Sequence, residues 1–359
     1  MSKKIIFYIP SIEGGGVEKN LFLLIKYLSK KINKIYIITA HKKKNNSKRI
    51  RYICPNSYYW EKKNRSIKNV ICIYLLIKNF WSSKATILSF QSNFTSIILS
   101  KILRFKVLIR LNTSLKKYLN NNLKKIIFKF IYSLSDAIIV NSKLFQKELK
   151  KVNLKSYLIY NLNFTEKKIK KLNFFKKHNG LKIINIGRLT DQKDQLTLIR
   201  SLAILKKENI NFRCSIIGKG NFKKILTDEI IKLDLTKNIK LEGFINKAEQ
   251  YISKSDIFVL SSRFEGLPNV LIESQQCGVP IISSDCPTGP SEILMNGRLG
   301  ELFPVGNYHI LAKKLFSYNK NKKILLRKSL NAKKYLIRFD PVKNSKKYLD
   351  LLLKNNEKL

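Results

Sequence analysis

Short, continuous apolar runs recur along the chain. In the first half they are KIIFYIP (4–10), KIYIITA (34–40), TILSF (86–90), KVLIRL (106–111) and AIIVNS (137–142). The pattern restarts with KIINIGRL (182–189), RCSIIGKG (213–220), IKLEGF (239–244), IFVLSS (257–262) and PIISSD (280–285). Runs that are apolar at nearly every position, rather than every second one, predict strands buried on both faces. Amphipathic stretches lie between them. After the first run, Leu21, Leu24, Ile25 and Leu28 fall on one helical face. Strands alternating with helices predict an α/β protein built on parallel sheets.

The alternation occurs twice, on either side of a Lys/Asn-rich segment, NLNFTEKKIKKLNFFKKHNG (161–180). The expected organisation is therefore two doubly wound domains, 1–165 and 166–337, followed by a C-terminal helix in 338–359. Ligands of such sheets bind beyond the carboxyl ends of the strands, so the expected site is a cleft between two facing halves. Hydrophobic residues make up 44% of the 359 positions, enough for sizeable cores, which argues against wholesale disorder.

Charge adds a partner class to this picture. Lys and Arg number 71 against 23 Asp and Glu, a net charge of +48, which attracts polyanions and anionic surfaces. The basic residues are spread along the chain rather than blocked in one arm, and compositional bias towards Lys, Asn and Ile accounts for most of the excess. No nucleic-acid module is recognisable and aromatics do not interleave with basic clusters, so nucleic acid is not the expected partner. The five cysteines (Cys54, Cys72, Cys214, Cys277 and Cys286) show no metal-ligand spacing. Their scatter fits reduced thiols in a cytoplasmic protein. The start, MSKKIIFYIPSIEGGG, reads as a first strand and turn rather than a signal sequence. No run reaches the length of a membrane span.

The chemistry concentrates in RFEGLPNVLIESQQCGVPIISSD (263–285), where two glutamates stand out in a basic chain. IFVLSS predicts a buried strand, Pro268 the start of a helix and Gly278 its end. Glu265 then lies in the loop at the strand's carboxyl end and Glu273 in the helix. Carboxylates accept hydrogen bonds from vicinal sugar hydroxyls, and the amides of Gly266 and Leu267 at a helix start suit phosphate oxygens. A capped surface helix with two solvated glutamates is the other reading of this stretch. In NIGRLTDQKDQLTLI, Arg188 stands beyond a strand end and Lys193 five residues later, two cations able to neutralise a diphosphate or simply surface charge. IEGGGVEKN (12–20) puts glycines after the first strand, where backbone can approach a ligand, but it is not the GxGxxG of a dinucleotide site.

Taken together, GGGVEK, NIGRLTDQK, IIGKG, LEGF and FEGLPNVLIE followed by CGVPIISSD resemble the retaining glycosyltransferase family 4 of the GT-B fold, in order and spacing over nearly the whole chain. DAIIVNSKLFQKEL and LIYNLNF resemble that family's closing first-domain segment and hinge. The resemblance implies a GT-B enzyme: α/β, two Rossmann-like domains facing each other across a cleft. It implies that Arg188 and Lys193 bind the donor diphosphate and stabilise charge on the leaving nucleotide. Glu273 would hold the ribose hydroxyls, and Glu265 the transferred sugar beside the amides of Gly266 and Leu267. Gly15 and Gly16 would approach the phosphates from the opposite domain. The catalytic set so implied is Glu265, Arg188 and Lys193. No cofactor or metal is expected, and the chain has no Asp-x-Asp; the cations take the place of a divalent ion.

One departure from the family matters. Many relatives carry a first-domain histidine facing the sugar, whereas this chain has only His41, His178 and His309, none of them assigned that role. The corresponding place is LIRLNTS (108–114), where Arg110 and Asn112 are the polar candidates on the acceptor side. SSDCPTGPSEIL (283–294) resembles bacterial members that add hexose or N-acetylhexosamine from UDP donors to surface glycans. Those glycans include polysaccharide, lipopolysaccharide and glycoprotein glycans. The expected partners are thus a sugar nucleotide, a lipid-linked acceptor and the anionic inner leaflet. SLKKYLNNNLKKIIFKFIY (114–132) predicts a basic amphipathic helix with a stripe of Leu115, Leu119, Leu123, Ile126, Ile127 and Phe130. That stripe is expected to pack on its own sheet, leaving Lys116, Lys117, Lys124, Lys125 and Lys129 to meet lipid headgroups. The competing readings are a basic nucleic-acid-binding protein and a GT-B sugar-nucleotide epimerase or phosphorylase.

Overall fold

The computed structural model describes residues 4–43, 46–81, 83–112, 121–163 and 180–353. Their contacts divide the chain into two compact units, Met1–Leu162 with Phe339–Leu359, and Asn163–Arg338. The division falls inside the Lys/Asn-rich segment, near its start, and the segment's residues 164–179, His178 included, lie outside the described residues.

The first unit is built on a parallel sheet of seven strands: β1 (Lys4–Tyr8), β2 (Ile35–Ile38), β3 (Ile50–Ile53), β4 (Ala85–Ser89), β5 (Lys106–Leu111), β6 (Ala137–Val140) and β7 (Tyr157–Leu158). The order across the sheet is β3-β2-β1-β4-β5-β6-β7. Five of the seven coincide with the apolar runs. The edge strands β3 and β7 do not, because an edge strand has one neighbour and needs less burial; β3 is only half-buried. Helices α1 (Gly16–Leu28), α2 (Arg65–Phe80), α3 (Asn93–Ile102), α4 (Asn122–Ser133) and α5 (Lys143–Lys150) connect the strands. Leu21, Leu24, Ile25 and Leu28 of α1 are buried as their spacing requires. The C-terminal helix Pro341–Leu353 packs beside α1, with Tyr348 and Leu352 in the same core.

Helix α4 departs from expectation. Its inward residues are Phe128 and Tyr132, with rings stacked 4.0 Å apart, and not the aliphatic stripe. Leu123, Ile126, Ile127 and Phe130 are 45–65% exposed. The expectation that this stripe packs on the sheet is thus corrected for these four, because two large aromatic rings on the opposite face claim the buried position. Leu115, Leu119, Lys116 and Lys117 lie outside the described residues.

The second unit repeats the design with six parallel strands: β8 (Leu181–Ile186), β9 (Phe212–Ile217), β10 (Ile239–Gly243), β11 (Ile257–Leu260), β12 (Ile281–Ser284) and β13 (Glu301–Phe303). Their order is β10-β9-β8-β11-β12-β13. The longer helices here are α6 (Gln195–Lys207), α7 (Lys223–Lys232), α8 (Asn269–Gln276), α9 (Tyr308–Lys320) and α10 (Lys322–Tyr335). Both sheets follow the doubly wound order in which the first strand sits centrally and the chain then winds away in both directions. Such a sheet has a switch point beside its first strand, between β1 and β4 here and between β8 and β11 in the second unit. Chains leaving those strands diverge to opposite faces, which leaves a crevice at the carboxyl ends.

Candidate active site

In the second unit the switch point holds most of the expected residues. Arg188 follows β8, Lys193 lies in a short 3₁₀ turn (Asp191–Lys193) before α6, and Glu265 lies in the loop after β11. Lys193 Nζ meets Glu265 Oε1 at 2.5 Å, with side-chain exposures of 15% and 8%. The two residues are 72 positions apart in sequence. Two serines at the end of β11 hold them in place: Ser261 Oγ donates to the Lys193 carbonyl (3.1 Å) and Ser262 Oγ to Glu265 Oε1 (2.6 Å). Thr288 Oγ1 donates to the Glu265 carbonyl.

Arg188 is exposed, and its Nη2 donates to Gln192 Oε1 at 3.3 Å. Gln192 in turn donates to the Phe264 carbonyl and accepts, on its own carbonyl, the Arg263 amide. The loop after β8 and the loop after β11 are therefore stitched together at several points. Arg263 adds ion pairs to Asp191 (3.3 Å) and Asp194 (3.5 Å). Burial raises the Asp194 pKa, which the Thr197 hydroxyl and Arg263 oppose.

Close packing of backbone against backbone builds the floor. A Cβ on Gly218 would fall 1.8 Å from the Gly187 carbonyl oxygen, and one on Gly220 2.0 Å from that of Leu189. Gly289 has φ +66°, and a Cβ there would fall 2.2 Å from the Gly266 carbonyl oxygen. These glycines let three loops converge at distances no side chain permits. A pocket of about 300 Å³ opens at the carboxyl ends of β8, β9 and β10, lined by Leu189, Gly218, Lys219, Gly220, Lys223, Leu241 and Gly243. Leu189 joins it to Arg188 along the chain, while Lys193, Glu265 and Glu273 lie outside its lining.

Glu273 is the fifth residue of α8 and is 6% exposed. Helical spacing puts it on one face with Asn269 and Gln276. That face meets Asn163, whose Nδ2 donates to the Asn269 carbonyl (3.1 Å) and whose carbonyl accepts from Gln276 Nε2. Gly266 and Leu267 precede α8, and Pro268 forms its N-cap with extended backbone.

In the first unit, Gly15 is the N-cap of α1 and Gly16 its first residue, both exposed. The turn itself rests on Gly14, at φ +77°. Across the switch point, Ser11 and Gln91 exchange two 3.0 Å hydrogen bonds. Arg110 is 1% exposed, its guanidinium carbon 5.1 Å from the Phe90 ring centroid and 5.9 Å from that of Tyr348, with Nη2 donating to Asn161. Burial lowers its pKa and Tyr348 opposes the shift. Arg110 is thus enclosed beneath the C-terminal helix, with its Nε and Nη1 left without a hydrogen-bond partner among the described residues. Asn112 is half-buried and donates to the Phe90 carbonyl at 3.1 Å. His41 lies 3.8 Å from Glu61, and His309 is exposed beside Tyr308.

The sequence profile described as "Glycosyl transferases group 1" matches residues 165–335. An uncharacterized glycosyltransferase of Methanocaldococcus jannaschii is 34% identical over 220 residues, 55% of this chain and 53% of that protein. An N-acetylgalactosamine-N,N'-diacetylbacillosaminyl-diphospho-undecaprenol 4-alpha-N-acetylgalactosaminyltransferase of Campylobacter jejuni is 30% identical over 248 residues, 66% of each chain. This chain belongs to the group 1 glycosyltransferases. The matches span between about half and two thirds of those two relatives' own lengths. The fold is that of Anabaena HepE, solved in complex with UDP-glucose, at a TM-score of 0.76 over 97% of this chain and 99% of that one, with 18% identity. The fold is GT-B and both parallel-sheet units of this chain are Rossmann-like, as the resemblance implies.

For this glycosyltransferase, the sequence reading passed over Ser261, Ser262, Thr288 and Gln192, which position the loops. The available signal was the pair of serines closing an otherwise apolar strand: both are 0% exposed, a place polar groups occupy only when hydrogen-bonded. Among the described residues, no group of three His, Cys, Asp or Glu is placed to hold a metal ion. Among the same residues, no helix is long and apolar enough to cross a membrane.

Proposed function

We propose that this chain is a retaining glycosyltransferase that moves a hexose or N-acetylhexosamine from a UDP-sugar to a growing, lipid-linked bacterial surface glycan. The observation that carries the reading is the Lys193–Glu265 pair beside exposed Arg188, at the carboxyl ends of β8 and β11. A diphosphate offered there meets one open guanidinium and one ammonium already desolvated, so it competes with Glu265 for Lys193. Splitting that pair frees the Glu265 carboxylate to accept hydroxyls of the transferred sugar, while Ser262 keeps it in place. Glu273 holds the ribose hydroxyls, the amides of Gly266 and Leu267 meet phosphate oxygens, and Gly15 and Gly16 admit phosphate closely to backbone.

In the reaction the bond between the anomeric carbon and the diphosphate oxygen breaks, and the acceptor oxygen bonds to that carbon on the same face. The acceptor's proton goes to the leaving diphosphate, so no protein base is required. Arg188 and Lys193 stabilise the charge that builds on the departing nucleotide, without a metal. The UDP donor is supported by the solved complexes of HepE, and the lipid-linked acceptor by the undecaprenol-diphosphate substrate in the Campylobacter jejuni relative's name.

The test is a screen of UDP-, GDP- and ADP-sugars with EDTA present, reading thermal stabilisation and slow donor hydrolysis. Stabilisation and hydrolysis by a UDP-sugar, both lost in Arg188→Ala and Glu273→Ala with folding intact, are the expected result. No response to any sugar nucleotide, or full activity in both variants, overturns the assignment.

A further inference from the structure

On α4 the residues that meet the sheet and the residues that meet solvent are both apolar. At about 100° per residue, Phe128 and Tyr132 define the inward direction, and Leu123, Ile126, Ile127 and Phe130 occupy an arc roughly opposite. Their exposures are 65%, 65%, 45% and 64%. Of the lysines, Lys124 stands on one flank of the arc and Lys129 on the other, about 60° and 80° from the inward direction, while Lys125 lies about 40° from it and is nonetheless exposed. The helix has no acidic residue. An ordinary surface helix places its charges outward and its apolar stripe inward. Here a second apolar stripe faces outward, with Lys124 and Lys129 along its sides.

The neighbouring helix α3 continues the surface. Phe94, Ile98 and Ile102, at i, i+4 and i+8, form a second exposed row at 47%, 37% and 64%, and α3 packs side by side with α4. On this rim Lys101 is paired with Asp136 at 3.6 Å, whereas Lys124, Lys125 and Lys129 make no ion pair among the described residues.

We propose that the outward faces of α3 and α4 form a membrane-docking platform for an anionic bilayer. The aliphatic and Phe side chains enter the headgroup boundary, while Lys124, Lys125 and Lys129 meet lipid phosphates. Apolar burial and electrostatic attraction act together in such binding, each lysine contributing about fivefold to affinity near an anionic surface. A second copy of the chain is the less suited occupant, since two such faces would bring six α4 lysines together without a carboxylate from either α4. The inference goes beyond the transferase reading and stands without it, because it rests on no residue of the second unit.

The test is cosedimentation of the full chain with vesicles of phosphatidylcholine containing 30 mol% phosphatidylglycerol, and with phosphatidylcholine alone. The wild type is expected to bind the anionic vesicles and to lose at least tenfold of its affinity in 0.5 M NaCl. Ile126→Glu/Phe130→Glu is expected to lose at least tenfold, and Lys124→Gln/Lys125→Gln/Lys129→Gln a comparable amount. Ile231→Glu, at an apolar residue 60% exposed in the second unit, is expected to bind as the wild type does. Far-UV circular dichroism and melting confirm that each variant is folded, and donor hydrolysis on the same proteins is expected to be unchanged, which separates a failure here from a failure of the transferase reading. Absence of wild-type binding, or undiminished binding by the Ile126→Glu/Phe130→Glu variant, overturns the proposal. So does a wild-type dimer that this variant dissociates, by sedimentation velocity, while vesicle binding stays as it was.

Discussion

Replacing Lys193 by Met tests whether the site stores an electrostatic constraint. The substitution keeps the length of the side chain and removes the ammonium that lies 2.5 Å from Glu265 Oε1. Removing one partner of a fully buried pair costs ~3–5 kcal/mol. Glu265 here keeps the Ser262 hydroxyl and a small opening to water, so the expected loss is ~2–3 kcal/mol. For a folding unit of this size that is roughly 5–10 °C in Tm. Glu265→Gln is expected to cost less, ~1 kcal/mol, because it keeps the Ser262 partner and Lys193 can swing its ammonium to solvent on a flexible stem. The double variant Lys193→Met/Glu265→Gln then carries no unpaired charge, and its cost falls short of the sum by ~1 kcal/mol or more. Urea unfolding followed by intrinsic fluorescence, with melting as a second probe, supplies all four corners of the cycle. Equal stability of Lys193→Met and wild type, or a coupling below ~0.5 kcal/mol, refutes the view that a desolvated pair is held here.

Three further outcomes follow from the geometry. Gly218→Ala places a methyl 1.8 Å from the Gly187 carbonyl oxygen and is expected to lower the melting temperature by more than 5 °C, a loss of ~2 kcal/mol or more, whereas Gly243→Ala, with open space but φ +74°, should lose about half of that. Burial first, then Lys68, lowers the His41 pKa below 6.5 against the opposing Glu61, so the unfolded chain binds the proton more readily. Stability from this residue is therefore present above about pH 6.5 and lost as pH falls through the lowered value; melting at pH 7.5 and 5.5 should differ less in His41→Asn than in wild type. Burial pushes the thiols of Cys277 and Cys286 up to about 12 and those of Cys72 and Cys214 higher still, so a native thiol titration at pH 8 should count one reactive group, Cys54, and five after denaturation.

Much of this architecture is written locally. Ten apolar runs became ten strands, all mostly buried except the edge strand β10, because a parallel strand needs apolar residues on both faces and no other element of that length does. Pro268 and Gly278 bracket α8 as their chemistry requires, the former at the N-cap and the latter at φ +69° just past the end. The edge strands β3, β7 and β13 escaped notice, since partial burial leaves only a short and mixed signal. The enclosure of Arg110 was illegible for a different reason. A cation at a strand end resembles a site residue in sequence, yet Phe90 and the distant Tyr348 enclose it, and neither contact is visible locally.

By itself the sequence determined the alternation of strands and helices, the doubling of the fold and the spacing of the charged residues, because each depends on period and on residues close along the chain. Tertiary structure alone decided that Lys193 pairs with Glu265 across 72 residues, that Ser261 and Ser262 hold both, and which side of α4 turns to the sheet. Periodicity reports that a face is apolar. When a helix carries two apolar faces, only the volume left by its neighbours selects one, and in α4 that volume took the two stacked rings and left the aliphatic stripe outside.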